Sequence, residues 1–375
     1  MRRTHRYMVP LAVGGLVLAS AAGVAAQSPG ASTAAGASAA PATVSLQLQW
    51  VPQAQFAGYL AAQAEGFYAA EGLTVNILPG GPTVDNQTVG SDPNGPEFTV
   101  AWVPKVLVLR DKGQSDLTDI AQVFQRSGTR EVSWVDSNIT KPEDFKGKNI
   151  GVWDFGNDYE VIAAGRKVNL EANVDYQRII QPFDMSLLLN KQIDAAEAMI
   201  YNEYAQVLEA TNPATGKLYQ PSDLNVMDFN QVGTAMLQDA LWARESWLAK
   251  PGNEDVATRF LKASFEGWMF CRDNPEKCVQ HVLDAGSTLG AGHQAWQMNE
   301  INSLVWPSAN GIGDMPIDTW AQTIKIALDA KLLTQAPDQG AFRSDLASKA
   351  RALITGDTTG ANYVKGTVQV TPGGN

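Results

Sequence analysis

The stretch LQWVPQAQFAGYLAAQAEGFYAAEGL, Leu48 to Leu73, decides the fold. Its first residues close an alternating run, VSLQLQW, of the kind that forms a strand. AQFAGYLAAQAEGFYAAEG then carries apolar residues at helical spacing, and Gly72 offers a stop. Within this junction stand five rings, Trp50, Phe56, Tyr59, Phe67 and Tyr68. A strand feeding a helix is the unit of α/β architecture, and ligands on such sheets lie beyond the C-terminal ends of the strands. Trp50, Phe56 and Tyr59 are therefore expected at a ligand, and at least one of Phe67 and Tyr68 in the core.

The same alternation continues along the chain. LTVNILPGG, EFTVAW, LTDIAQVFQ, REVSWV and the end of KPEDFKGKNIGVW read as strands. VPKVLVLRDKG, NDYEVIAAGRKVNL and NEYAQVLEATN read as helices, and MSLLLNKQIDAAEAMI as a helix leading into a strand. From Asp239 onward helices dominate, among them ARESWLAK, NEDVATRFLKASFEGWMFCRDN, HQAWQMNEINSLVW and DTWAQTIKIALDAKLL. The expected sheets are mostly parallel. Each strand end is followed by a ring with a polar neighbour: Trp102 with Lys105, Trp153 and Phe155 with Asn157, Tyr201 with Asn202 and Glu203, as Trp50 is with Gln53. One ring after a strand is ordinary packing. Rings at four such junctions describe a pocket for a flat, conjugated ligand.

The chain has 375 residues, enough for two lobes, with a net charge of −11 and a pI near 4.8. No basic stripe is present, so nucleic acid is excluded as a partner class. MRRTHR followed by an apolar run ending in Val24-Ala25-Ala26 reads as a signal peptide over 1–26, with an uncleaved anchor as the alternative. No cysteine near that site offers a lipid anchor. Residues 27–42, rich in Ala, Ser, Gly, Pro and Thr, read as a flexible linker, and 355–375 as a flexible tail. No later segment is long and apolar enough to span a bilayer. Export places Cys271 and Cys278 in an oxidising compartment, and Pro275 between them lets the chain fold back. A disulfide is expected, with two buried thiols as the alternative.

Catalytic patterns are missing. HExxH, GxSxG and Walker motifs do not occur, and the three histidines, His5, His281 and His293, form no ligand set by spacing. No metal and no cofactor are expected, and no nucleophile stands beside a base.

LQLQWVPQAQFAGYLAAQAEGFYAAEGLTVNILPGGP, with AWVPKVL, SNITKPEDFKGKNIGVW and LLLNKQIDAAEAMIYNEYAQVL, resembles the NMT1/THI5-like (SsuA/THI5-like) solute-binding proteins, nearest the riboflavin- and thiamine-pyrimidine-binding branch. The resemblance implies a two-lobed, type II periplasmic-binding-protein-like α/β fold with a cleft. Lobe 1 would comprise 44–124 and 238–354, and lobe 2 would comprise 125–237. It further implies a monomeric, exported protein, periplasmic or extracellular, that hands a flat heterocycle to an ABC permease and ATPase. Cleft residues implied are Trp50, Phe56, Tyr59, Trp102, Trp153, Phe155, Asn157, Tyr201, Asn202 and Glu203. Relatives that bind thiamine precursors often carry His where Phe56 stands, which turns the expectation toward a larger ring system. A sulfonate, taurine or nitrate binder is the alternative in this class, with Arg126 and Arg130 as its candidate cations. A pyrimidine-synthase-like enzyme is the alternative in another, though its CCCFC motif is absent.

Overall fold

Strand β1 (Ala42–Gln47) lies parallel to both of its neighbours, β2 (Leu73–Leu78) and β3 (Phe98–Trp102). The computed structural model describes residues 40–182 and 184–375, so the signal peptide and residues 27–39 lie outside the described residues. Ala42, read as the linker's end, already pairs with Leu73. Between β1 and β2 the chain forms a 3-10 turn (Ala54–Phe56), α1 (Ala57–Ala64) and α2 (Phe67–Ala70). The expected single helix is broken at Gly66, whose φ of 78° is left-handed and costs glycine little. Helices α3 (Asn86–Ser91) and α4 (Val103–Asp111) flank β3, and β4 (Leu117–Gln122) ends this half.

The chain then crosses to a second sheet. Its elements are β5 (Thr129–Trp134), β6 (Asn149–Val152), α5 (Tyr159–Lys167), β7 (Gln177–Ile180), α6 (Ser186–Leu189), β8 (Ala195–Met199) and α7 (Glu203–Glu209). A short hairpin of β9 (Thr211–Asn212) and β10 (Lys217–Leu218) precedes β11 (Leu224–Asp228) and α8 (Phe229–Val232). The chain crosses back into β12 (Asp239–Arg244) and ends in helices α9 (Glu245–Leu248), α10 (Asn253–Asp273), α11 (Pro275–Asp284), α12 (Ala291–Val305), α13 (Ile317–Asp329) and α14 (Asp345–Ala352).

The two five-stranded sheets run β2-β1-β3-β12-β4 and β11-β5-β8-β6-β7. Each is mostly parallel, as expected, with one reversed strand. β12 is antiparallel to β3 and β4, and β5 is antiparallel to β8 and β11. The reason is topological: β5 and β12 are the strands that enter each sheet from the other one. All six residues of β12 are buried, as are all five of β3 and of β8, because helices cover both faces. Burial also shortens the helix read in ARESWLAK to Glu245–Leu248. Ala243 and Arg244 finish β12, where backbone pairing on both sides outweighs helix propensity.

In the first lobe α1 crosses α10 at two glycines. A Cβ on Gly58 would lie 2.2 Å from a Trp268 ring carbon, and one on Gly267 would lie 2.0 Å from the Gly58 carbonyl oxygen. Between α10 and α11, Asn274 leaves helical geometry, which brings the Cα atoms of Cys271 and Cys278 to 5.4 Å in a buried disulfide. Residues 355–375 are not a free tail. Ser308 and Ile312 donate to the carbonyls of Thr359 and Thr358, Lys365 pairs with Glu300, and Gly374 is buried against His293 and Glu209. Small, polar composition suggested mobility, but it also lets an extended strap lie flat over helices.

Replacing Gly267 by Ala is expected to destabilise the protein by about 1–3 kcal/mol, because a rigid backbone oxygen occupies the space; thermal unfolding checks this, and an unchanged melting temperature would show that the helices separate freely. Alkylation under denaturing, non-reducing conditions is expected to find no free thiol in the exported protein.

Candidate functional site

The C-terminal ends of the strands face one another between the lobes, and a cavity of about 40 Å³ remains there. Trp50, at the end of β1, meets Trp153, just past β6, edge-on with ring centroids 5.6 Å apart. One ring comes from each lobe. Trp102 ends β3, and Tyr201 follows β8 as a fully buried ring 6.4 Å from Phe124. The remaining lining is Gln49, Gln53, Gln55, Asn157, Met199, Asn202 and Glu203. The cleft is thus closed, with aromatic walls and mostly amide polar groups.

Seven of the sequence-predicted residues meet here: Trp50, Trp102, Trp153, Asn157, Tyr201, Asn202 and Glu203. Phe155 stands at the outer rim, exposed, beside Lys105 and Asp154. Its φ of 57° turns the loop so that its carbonyl accepts from Gln87 of the other lobe. Phe56 and Tyr59 are not at the cavity. Phe56 is fully buried in the first lobe's core, and Tyr59 packs edge-on to Trp268 at 5.6 Å. The turn of α1 aims them at α10 and away from the cleft. The argument that Phe56 selects a larger ring system falls with that placement. Tyr68 is core as well, stacked on Phe260.

Sequence reasoning missed Gln49, Gln55, Met199 and, behind them, Asp239. This first residue of β12 accepts from Trp102 Nε1 at 2.6 Å and from Gln55 Nε2 at 2.9 Å. It fixes the tilt of the Trp102 ring and the direction of the Gln55 amide, whose Oε1 accepts from Gln53 at 2.8 Å. The only sequence signal was an acid opening a strand, DALWAR, whose next four residues are apolar. Glu203 accepts from the Met199 N–H at 2.9 Å and from Asn202 Nδ2 at 2.7 Å. Lys105 donates to Asn86 and, across the cleft, to Asn157, both at 3.1 Å.

Burial dominates the electrostatics. Desolvation pushes Asp239 and Glu203 each up to about 7, against hydrogen bonds that hold them lower. Desolvation likewise pulls Lys105 down to about 8, opposed by Asp85, Asp239 and Asp158. Deeper in lobe 2, Glu197 accepts from the Trp153 N–H and lies opposite Glu131 in the β5–β8 ladder. Both are pushed up by burial, and Glu160 reaches about 8 for the same reason. The arginines weighed for an anion are engaged elsewhere. Arg126 caps the carbonyls of Ser303, Leu304, Trp306 and Pro307, and Arg130 pairs with Asp228. Among the described residues no cluster of His, Cys, Asp and Glu could hold a metal, and no helix is long and apolar enough to cross a membrane.

A family model described as NMT1/THI5 like matches residues 53–278, more than half of the chain. A formylaminopyrimidine-binding protein of Halalkalibacterium halodurans is 22% identical over 248 residues, which cover 64% of this chain and 70% of that protein. Among solved structures, the periplasmic aliphatic sulphonate binding protein SsuA of Escherichia coli superposes with a TM-score of 0.56 at 14% identity, over 80% of this chain and 91% of that one. The desulfurization enzyme DSZB superposes with a TM-score of 0.54 at 12% identity, over 82% of this chain and 99% of that one. The fold is therefore that of two-lobed periplasmic binding proteins, and it also carries an enzyme, so function has to be argued from the site.

The buried carboxyls set the pH dependence of stability. Asp239, Glu203 and Glu160 keep their protons in the folded protein up to about pH 7, 7 and 8. The unfolded chain releases its own near pH 4. The folded state therefore binds more protons in between, and this contribution, full below about pH 4, is lost as the pH rises through 7 to 8. The melting temperature of ligand-free protein is expected to fall between pH 5 and pH 8, and Asp239→Asn to flatten that fall. A rise over the same interval would contradict the assignment.

Proposed function

The chain belongs to the NMT1/THI5-like family, and on that premise we propose that it is an extracytoplasmic solute-binding protein of an ABC importer that captures a flat, uncharged nitrogen heterocycle between its lobes. The observation that carries this reading is the composition of the cavity wall. Four rings, Trp50, Trp102, Trp153 and Tyr201, come from both lobes, and the polar groups among them are amides and Glu203. Ring faces suit a conjugated ligand, each stacked pair contributing about 0.5–1.5 kcal/mol beyond burial. Amides offer both donors and acceptors to ring nitrogens and exocyclic groups. Glu203, once ionised, accepts from ring or amino N–H and repels sulfonate and nitrate. With Arg126 and Arg130 committed elsewhere, no guanidinium among the described residues lines the cavity, which weighs against an anionic ligand.

Two ligands fit this chemistry: a substituted aminopyrimidine of the thiamine-precursor type, or riboflavin. The likeness to a formylaminopyrimidine-binding protein supports the first. So does the small closed cavity, since a pyrimidine needs less separation of Trp50 from Trp153 than an isoalloxazine does. The partners of this reading are a permease and an ATPase. Binding would proceed by closure of the lobes about the two crossings, with the ring wedged where the two tryptophans now touch.

Mass spectrometry of small molecules that co-purify with the exported protein tests the ligand class directly. Formylaminopyrimidine or a related aminopyrimidine is expected to quench tryptophan emission saturably, at a dissociation constant near or below micromolar, about −8 kcal/mol. Taurine and nitrate at millimolar concentration are expected to do nothing. A sulfonate that raises the melting temperature while pyrimidines and flavins do not would overturn the reading. Trp153→Ala is expected to weaken binding by tenfold or more while the melting temperature changes little, since about 1.4 kcal/mol of lost contact suffices; a sharp fall in stability with affinity intact would make Trp153 a core residue.

A further inference from the structure

Helix α12 belongs to the first lobe, where Met298, Ile301, Leu304 and Val305 enter the core beside α1 and α10. Its opposite face reaches into the second lobe. Trp296 Nε1 donates to the carbonyl of Ile200 at 3.0 Å and its ring leans on Tyr204. His293, fully buried, places Nδ1 at 2.9 and 3.0 Å from the two carboxylate oxygens of Glu209. Its Nε2 lies 2.9 Å from Oδ1 of Asn202. The next residue, Gln294, accepts from the Ala54 N–H at 2.8 Å and so braces the opposite wall, which carries Gln53 and Gln55.

Both ring nitrogens of His293 thus face acceptors. A neutral imidazole has one N–H and can satisfy one of them; the imidazolium has two. The orientation of Asn202 follows from its other partners. Its Oδ1 also accepts from Gln206 Nε2 at 3.2 Å, and its Nδ2 donates to Glu203 at 2.7 Å. Turning the amide over would set two donors against each other and an oxygen against the Glu203 carboxyl.

We infer that His293, as an imidazolium, is the latch between the lobes and the positioning residue for the Asn202–Glu203 pair on the cavity wall. Its two N–H groups tie α12 to the start and the end of α7, and the tie at Asn202 fixes which way the amide and the carboxyl present themselves. Each tie spans the two lobes, so loss of either favours the open form. The acidic groups facing it are Glu209 and Glu203 of α7. The strap covers the latch with Gly374, where a Cβ would stand 2.9 Å from His293 Cβ and 3.0 Å from a Glu209 oxygen, so water is kept from the pair. Ionisation of Glu203 acts on Asn202 and leaves the ring's two acceptors in place. The role in setting the wall rests on the cleft being the ligand site; the latch itself does not.

The test uses ligand-free, full-length protein. Spin labels at Val174→Cys in lobe 2 and Leu353→Cys in lobe 1, both exposed positions, report lobe separation. Nitrogen-15 histidine spectra report the ring of His293. The expected result is a ring protonated at both nitrogens in a protein whose short separation dominates. A hydrogen bond to a charged group sets the scale, an open-to-closed ratio that changes by about tenfold or more. His293→Gln is expected to open the protein, Glu209→Gln to open it and leave a neutral ring, and Glu209→Asp to restore much of the closed form. A neutral ring in the closed protein, or a lobe separation unchanged in His293→Gln, overturns the inference. Should His293→Gln fail to fold, the protonation of the ring in the unmutated chain and the lobe separation in the Glu209 variants decide. Failure of every pyrimidine and flavin to bind would sink the proposed ligand and leave these readouts standing.

Discussion

The pairing of β12 with β4 is the constraint on which the rest of the structure hangs. Because these strands are neighbours, the two chain crossings leave the first lobe side by side. Phe124 donates to the carbonyl of Asp239 at 3.0 Å, and Gln122 Nε2 reaches the carbonyls of Phe124, Gln238 and Asp239. Gln238 in turn accepts from the Gly128 N–H and donates to Thr129. Two crossings bound to one another bend as a unit, which limits the motion of the lobes to hinge-like opening. The same pairing puts Asp239 at the floor of the cleft, where it holds Trp102 and Gln55. Hinge and site are therefore built from the same few residues.

Closing such a site buries charge. Lys105, Asp239, Glu203 and Glu160 all leave water, and each responds by moving toward its neutral form. The protein compensates with contacts that exist only when the lobes meet: Trp50 on Trp153, Lys105 to Asn157, Gln87 to the Phe155 carbonyl, Trp296 to the Ile200 carbonyl. A ligand that separates the two tryptophans has to replace their contact with its own two faces. On the proposed reading this favours planar molecules over compact anions, since a sulfonate would take the rings apart and offer oxygens to a wall holding Glu203.

Much of this was legible in the sequence, for a physical reason. Buried strands in an α/β sheet are short and apolar, and the chain must turn where they end, so a ring placed just after such a run lands at the sheet's C-terminal edge. That logic located Trp50, Trp102, Trp153 and Tyr201. It failed for Phe56 and Tyr59 because helical periodicity shows that a face is apolar without showing which neighbour it meets; α10, some 200 positions later in the chain, claims that face. It could not find Asp239 or His293, whose partners are distant in sequence and whose spacing carries no motif. It also read the strap as free, since Gly and Thr weaken any local preference and only the helices beneath hold the segment in place.

Helix α12 explains why the site needs a support that the strands do not supply. The strand ends bring rings and amides to the cleft, but Asn202 and Gln53 lie on turns, where nothing in the sheet fixes a side-chain amide. A polar group left free to rotate presents either a donor or an acceptor and so recognises no particular ring edge. Adjacent residues of one helix, His293 and Gln294, brace the two walls from behind, and the helix is itself anchored in the core through Met298, Ile301 and Val305. Preorganisation of this kind matters more to affinity than added contact, because the ordering of the wall is already complete when the ligand arrives. The direction of the amides on a wall, more than the number of rings, is then what separates one flat heterocycle from another.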